Sequence, residues 1–338
     1  MIRPTLRGVG LVLVVLVAAG LAWLFGDRAL NAVAAPALVA LAAGVVQMAV
    51  ASDPTVERGP VEPGFPGETR TVALDIEGGS TVVDVRDAIG EGFEADGNDG
   101  SVAPPATMTY DLEYLRRGEH DLGPTTVRVR DVLGLFERTV TVDTAASVVV
   151  YPEVYTLGGG GDLSRLLAEA LNAEREEFDS LREYAPGDSL RDVDWKATAK
   201  RPEDLMVTEF SGRESEGSVT IATSATAGAI DLATAATASI AIALREAGVH
   251  VDIYAPDGDV STTDDRSDQH AMLGLLARTG DGQVADEVWA GADVHVSGSS
   301  RDVTVTVDGR TSSFWQWCNG HANPLTDEPA SSRGVRAA

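Results

Sequence analysis

The chain has 338 residues and a formal net charge of −26, from 52 Asp and Glu against 26 Lys and Arg. That length supports a sizeable core in one to three domains. The charge excludes a nucleic-acid partner, because a polyanion is repelled and no long basic stretch is present to release counterions.

The acidic residues are spread along the chain, Lys196 and Lys200 are its two lysines, and every other cation is Arg. This style resembles the proteins of extreme halophiles, archaeal ones among them, where carboxylates keep a hydrated surface and salt near 1 M screens repulsion to about 3 Å. Cys318 is the one cysteine, so it has no internal disulfide partner. It reads as a small apolar residue beside Trp315 and Trp317. The five His are scattered, with no CxxC or HExxH spacing, so neither a metal nor a cofactor is expected.

Two uncharged apolar runs open the chain, 9–26 and 29–51, separated by Asp27 and Arg28. Each has the roughly 20 residues that a bilayer-spanning helix needs, and the short gap predicts a transmembrane helical hairpin over 1–52. A signal peptide is the alternative for the first run, and the uncharged second run argues against it. Pro36 is tolerable where neighbours satisfy the freed carbonyl. Arg3 and Arg7 precede the first run, while Arg28 in the turn is balanced by Asp27. The positive-inside rule therefore places both ends of the hairpin in the cytoplasm, making a two-helix multi-pass protein of the cell membrane with cytoplasmic soluble domains.

Residues 53–70, rich in Pro, Gly and Glu, read as a linker. Over 71–152, short β-branched and alternating runs punctuated by Gly, Pro and Asp predict an antiparallel β-sandwich, with 92–104 as a mobile surface loop. Helical spacing runs from Asp162 to about Tyr184, in a segment 153–215 that also carries the phrase discussed next. From 216 to 310, strands (SVTIATS, VHVDIYAP, RDVTVTVDG) alternate with helices (AIDLATAATASIAIALREAG, DQHAMLGLLART). That rhythm predicts a small α/β domain with a doubly wound, Rossmann-type sheet. Residues 311–338 read as a tail, disordered beyond Asn323.

The densest mixture of charge, Trp, Pro and Gly lies between Arg182 and Lys200. Pro186-Gly187-Asp188 is a turn signature, and Trp195 offers a flat face for a cation. On a helix, Asp192 and Lys196 would attract at i,i+4, whereas Lys196 and Lys200 would repel, so Lys200 needs another partner. The phrase reads as a buried ionic latch, as a docking surface for another protein, or as a catalytic site using carboxylates such as Asp188 and Asp194. No nucleophile is paired with a base in sequence: Ser189 has no His nearby.

The pattern Arg182-x-Tyr184-x-Pro186-Gly187-Asp188-x-x-Arg191-x-x-Asp194-Trp195-Lys196-x-x-Ala199, followed by Leu205-x-Val207-x-Glu209-Phe210, resembles the domain of unknown function 58 family. Upstream, Arg117-Gly118-x-His120-x-x-Gly123-Pro124, Asp131-x-x-Gly134-Leu135-Phe136 and Val149-Val150-Tyr151-Pro152 extend the resemblance, as does the close pair of apolar runs. It implies a membrane-anchored protein with a von Willebrand A-like C-terminal domain, of the kind usually encoded near MoxR-type AAA+ ATPases. Metal-binding von Willebrand A domains carry Asp-x-Ser-x-Ser after their first strand, where a carboxylate and hydroxyls hold Mg²⁺. The matching stretch here places Ala222 at the Asp position, with Ser224 and Thr226 as hydroxyls. The site is thus degenerate, and Asp231 reads as a cap or surface residue.

The leading expectation is a non-enzymatic, membrane-tethered adaptor or scaffold. Its partners would be the lipid bilayer, a MoxR-type AAA+ ATPase and other membrane-complex proteins. The interaction residues would be Arg182, Tyr184, Pro186, Gly187, Asp188, Arg191, Asp194, Trp195, Lys196 and Lys200. The alternatives are a carboxylate-dependent hydrolase or transferase, and an envelope structural protein with extracellular domains.

Overall fold

The structure, a computed structural model, describes residues 2–25, 31–78, 82–158, 164–168, 180–183, 206–209, 218–226, 228–262, 266–299, 302–319 and 323–325. The chain divides into two compact units, Met1–Val150 and Tyr151–Ala338.

The first unit begins with a short strand, β1 (Ile2–Pro4), and two helices, α1 (Leu6–Phe25) and α2 (Asn31–Val50). Each helix is long and apolar enough to cross a bilayer. The covered side of each helix repeats at a three-then-four spacing. Gly8, Leu11, Val15, Ala18 and Ala22 form the covered side of α1; Ala34, Ala37, Leu41, Gly44 and Met48 form that of α2. The opposite faces leave Val12, Leu13, Leu16, Val39 and Val46 bare.

Two antiparallel sheets follow. One runs β2 (Thr55–Arg58), β3 (Thr69–Glu77), β7 (Ala106–Tyr114), β5 (Phe93–Asp96). The other runs β1, β9 (Phe136–Val142), β8 (Gly118–Arg130), β4 (Val83–Ile89), β6 (Asp99–Val102), with β10 (Ala146–Val150) beside the first half of β8. Alternation decides which side chains meet between the sheets. Leu74 and Ile76 from β3, Val83 and Val85 from β4, Leu112 and Tyr114 from β7, and Val127 and Val129 from β8 are all buried.

Two expectations are corrected here. The stretch read as a linker, 53–70, is part of the sandwich. β2 pairs with β3 from Thr55↔Glu77 to Arg58↔Leu74, Phe65 is buried, and the Gly64 amide donates to the Val149 carbonyl. The supposed loop 92–104 supplies strands β5 and β6, and Phe93 is buried against Tyr114. Pro and Gly content suggested open chain, but here those residues shape turns between paired strands.

Tyr114 is fully buried and its hydroxyl donates to the Glu62 carbonyl. Burial pushes its phenol up to about 12, from the usual value of about 10. The folded state therefore holds this proton more tightly than the unfolded state. The resulting stability is fully present below about pH 10 and is lost as pH rises towards 12. Alkaline unfolding of wild type against Tyr114→Phe checks this: the variant is expected to show a shallower decline above pH 10. Parallel curves would refute it.

In the second unit, β13 (Ser218–Ala225) lies between β14 (His250–Ala255) and β16 (Val294–Ser299), parallel to both. Antiparallel β15 (Gly258–Thr262) flanks β14; β17 (Asp302–Val307) and β18 (Arg310–Ser313) flank β16. Helix α3 (Ile230–Glu246) joins β13 to β14, and α4 (Arg266–Arg278) and α5 (Asp286–Gly291) lie between β15 and β16. Helix α3 is buried almost all round, with Ala233, Thr234, Ala236, Thr237, Ala238 and Ser239 covered. Its small side chains let it approach β13, β14, β16 and β17 on one side and α4 on another. It ends as its Ala-rich pattern predicts, with Gly248 in the left-handed region at φ 84°.

The tail expectation for 311–338 is corrected in part. Phe314 and Trp317 are buried, the Trp317 indole donates to Ser312, and Phe314 and Trp315 pack around Tyr155. Cys318 sits half-buried there with its thiol directed at the Phe314 carbonyl, and burial pushes the thiol up.

Candidate functional site

The charged phrase is bracketed by two paired strands. β11 (Ser180–Glu183) lies antiparallel to β12 (Met206–Glu209), in the register Ser180↔Glu209 to Glu183↔Met206. Arg182 sits on β11 opposite Val207. The ladder thus brings Glu183 and Met206 side by side. Tyr184, Pro186, Gly187, Asp188, Arg191, Asp194, Trp195, Lys196 and Lys200 lie outside the described residues, as does most of the helix expected over 162–184, and the last described part of that stretch, Ser180–Glu183, is strand rather than helix because it pairs with β12.

The stretch read as a degenerate metal site, Ala222 to Thr226, lies at the C-terminal end of β13, where connections diverge to neighbours on either side. In open α/β sheets ligands bind in the crevice at that point. Here the groups at that end of β13 bond within the chain. The Ala225 amide and carbonyl both bond to Gly282 at 2.9 Å, and the Thr226 amide donates to the Gly298 carbonyl at 3.1 Å. Ser224 Oγ accepts from the Val284 amide at 3.1 Å. Thr223 Oγ1 bonds to Thr237 Oγ1 at 2.6 Å, while Thr237 donates to the Ala233 carbonyl. Ala222 is fully buried and offers no ligand. A Cβ on Gly298 would stand 2.9 Å from that of Ala225 and 3.0 Å from that of Ala229, so strand β16 packs against them there as glycine. Asp231 is exposed in the first turn of α3, where its charge complements the helix dipole. Among the described residues, no three His, Cys, Asp or Glu side chains converge as a metal ion requires.

A polar cluster that sequence reasoning missed bridges the two sheets of the first unit. Arg58, at the end of β2, makes a bidentate pair with Asp87 on β4, at 2.7 and 2.8 Å. Their side chains are 5% and 0% exposed. Tyr110 from β7 donates to Asp87 at 2.6 Å, and Thr125 from β8 donates at 2.7 Å. Thr144 bonds to Thr125 at 2.7 Å, and its carbonyl accepts from Arg58 Nε at 3.0 Å. Asp87 thereby accepts two bonds from Arg58, one from Tyr110 and one from Thr125, which fills the capacity of a carboxylate. Burial and the Asp87 charge push the Tyr110 phenol above its usual value. For Arg58, burial works downward, but the bonds and charge of Asp87 outweigh it and raise the guanidinium. A groove of about 620 Å³ between Val56–Val61 and Asp143–Val148 opens over Arg58 and Thr144. With every Asp87 acceptor engaged, the cluster ties sheets together rather than presenting a free base. The signal was available: Asp87 follows Val83 and Val85 on the inward phase of β4.

Solved structures of low similarity include an MSP family member of C. elegans, at 12% identity and a TM-score of 0.21, covering 28% of this chain and 96% of that one. The CARDB domain of a Pyrococcus furiosus protein in complex with di-metal ions is 13% identical, with a TM-score of 0.18, covering 29% of this chain and 96% of that one. The uncharacterized protein YeaD of Bacillus subtilis (strain 168) is 30% identical to this chain, which spans 37% of its length; the match covers 39% of this chain. Residues 180–283, from the β11–β12 ladder through the C-terminal end of β13 to the loop beside it, match the family described as "Protein of unknown function DUF58".

Proposed function

We propose that the protein is a membrane-anchored, non-enzymatic adaptor of a halophile. In this reading its soluble units face the cytoplasm, its second unit is von Willebrand A-like, and it works with a MoxR-type AAA+ ATPase. The observation that carries the reading is the end of β13. There Ser224 and Thr223 are bonded within the chain, and the backbone of Ala225 pairs with Gly282 and that of Thr226 with Gly298, so the hydroxyls and backbone groups at this end already have protein partners. The von Willebrand A-like assignment is supported by the parallel order β14, β13, β16 with α3 crossing between the first two. Interaction then falls to the charged phrase, which the β11–β12 ladder brackets. Trp and Arg are the residue types that most often anchor an interface.

The test is affinity recovery of the full chain from native membranes at high salt. Wild type is expected to bring down an AAA+ ATPase, and Arg191→Ala and Trp195→Ala are each expected to cut recovery by roughly tenfold, the effect of about 1.4 kcal/mol. Failure to recover any ATPase, or wild-type recovery by both variants, would reject the adaptor. Protease access to 60–330 only after membrane rupture is the expected topology, and cutting in intact cells would place the units outside.

A further inference from the structure

We propose that the β8–β9 loop, Asp131–Leu135, is a third membrane contact that dips Val132 and Leu133 into the acyl-headgroup boundary of the bilayer. The inference rests on the reading that α1 and α2 span a membrane.

The loop is built against those helices. The Thr5 amide and hydroxyl donate to Leu135 and Gly134 carbonyls at 2.9 and 2.6 Å. The Val132 amide donates to Gln47 Oε1 at 3.2 Å. A Cβ on Gly44 would lie 3.0 Å from the Phe136 ring. Gln47 and Gly44 stand three and six residues before the end of α2 at Val50, or about 4.5 and 9 Å along its axis. The loop therefore lies beside helical turns that belong to the spanning stretch, Ala32–Val50.

Its shape is fixed from within. Asp131 is buried and its carboxylate accepts from the Leu133 and Phe136 amides. Gly134 takes φ 66° at the turn. This frame turns Leu135 inward, 6% exposed, and Val132 and Leu133 outward, 77% and 52% exposed.

The surroundings point to lipid. Among the described residues, the large apolar side chains exposed outside α1 and α2 are Ile2, Val82, Leu115, Val132, Leu133 and Trp315. Ile2 pairs with Arg138 on β9, and Val82 precedes Val83, which pairs with Val129 near the end of β8. Four of the six thus gather at the helix-bearing end of the sandwich. Exposed Arg3 and Arg7 lie in the same place, suited to lipid phosphates in a chain otherwise strongly acidic. At the opposite end of α1, Trp23 is exposed where an interfacial aromatic is expected.

The test uses the full chain in lipid nanodiscs of phosphatidylglycerol and phosphatidylcholine. Single cysteines are placed in a Cys318→Ser background and labelled with a polarity-sensitive fluorophore. Val132→Cys and Leu133→Cys are expected to show blue-shifted emission, several-fold quenching by lipids with a nitroxide high on the acyl chain, and shielding from iodide. Thr109→Cys on the exposed face of β7 serves as the aqueous control and Leu16→Cys as the mid-span control. Aqueous behaviour at 132 and 133 with lipid quenching at 16 overturns the loop contact alone. Shielding of 132 and 133 from both quenchers also overturns it, because protein then covers the loop. Aqueous behaviour at 16 removes the spanning reading itself, and this inference with it.

Discussion

Replacing Asp87 with alanine is expected to destabilise the sandwich by about 3–5 kcal/mol, the usual cost of leaving a buried charge without its partner. The bidentate pair, at 2.7 and 2.8 Å with 5% and 0% exposure, keeps both ions out of water. After the substitution Arg58 retains only neutral acceptors, the Thr144 carbonyl and hydroxyl and the Tyr110 hydroxyl. For a domain of about 100 residues each kcal/mol moves the midpoint by about 4–8 °C, so the melting temperature should fall by about 12 °C or more. Arg58→Met combined with Asp87→Leu should recover much of that loss, because two well-packed apolar groups can replace a buried pair. Salt separates this pair from those on the surface. Raising ionic strength from about 0.1 to 1 M shortens the screening length from about 10 to 3 Å. That weakens the half-exposed Arg130–Asp84 contact at 3.0 Å but leaves the Asp87 effect intact. Thermal unfolding of wild type and variants at both salt concentrations decides the matter. A loss under about 1 kcal/mol, typical of an exposed pair, or one that disappears in salt, would show that Asp87 is not a buried tie.

The same cluster shows where sequence was readable and where it was not. Alternation made β3, β7, β8 and β9 legible, because half-buried strands must repeat every two residues. Asp87 was equally legible in phase, since it shares the inward side of β4 with Val83 and Val85. Its partner was hidden, because Arg58 sits in a stretch whose Pro and Gly suggested a linker. Pairing of β2 with β3 is a long-range event that local composition does not encode. A similar loss befell Phe314 and Trp317: polar neighbours suggested a tail, yet the two aromatics close onto Tyr155 and Ser312 from distant parts of the chain. The α/β rhythm after 216 was visible, but β16 was missed, as VHVSGS is short and carries Ser and Gly. At the end of β13 the sequence shows Ala222 with no carboxylate to offer. The bonds of Ser224 to Val284 and of Ala225 to Gly282 join residues about 60 apart in sequence, which local composition does not encode.

Gly8→Val is expected to separate the base of the hairpin from the sandwich without unfolding the sandwich core. A Cβ at position 8 would stand 2.1 Å from the Leu135 carbonyl oxygen and 3.0 Å from its carbon. Those are backbone atoms, so no rotamer change relieves the clash. Helix α1 must shift, or the β8–β9 loop must. Either movement breaks the Thr5 bonds to Gly134 and Leu135, and with them the pairing of β1 with β9 from Ile2↔Arg138 to Pro4↔Phe136. Overpacking costs about 1–3 kcal/mol, and a loss at the upper end would speed local opening about a hundredfold. Hydrogen exchange on the full chain in detergent reads this directly. Amides of 2–8 and 131–138 should exchange faster in the variant, while those of β3 and β7, whose core residues Leu74 and Leu112 are fully buried elsewhere in the sandwich, should keep wild-type protection. Unchanged exchange around Thr5 and Leu135 would mean that the close approach at Gly8 does not hold the hairpin to the sheet. Uniform loss across all strands would instead make the hairpin base part of the folding core. The selective outcome is expected because, among the described residues, β1 pairs with the sheet at its β9 edge alone, whereas the Asp87 cluster joins the two sheets through β2, β4, β7 and β8.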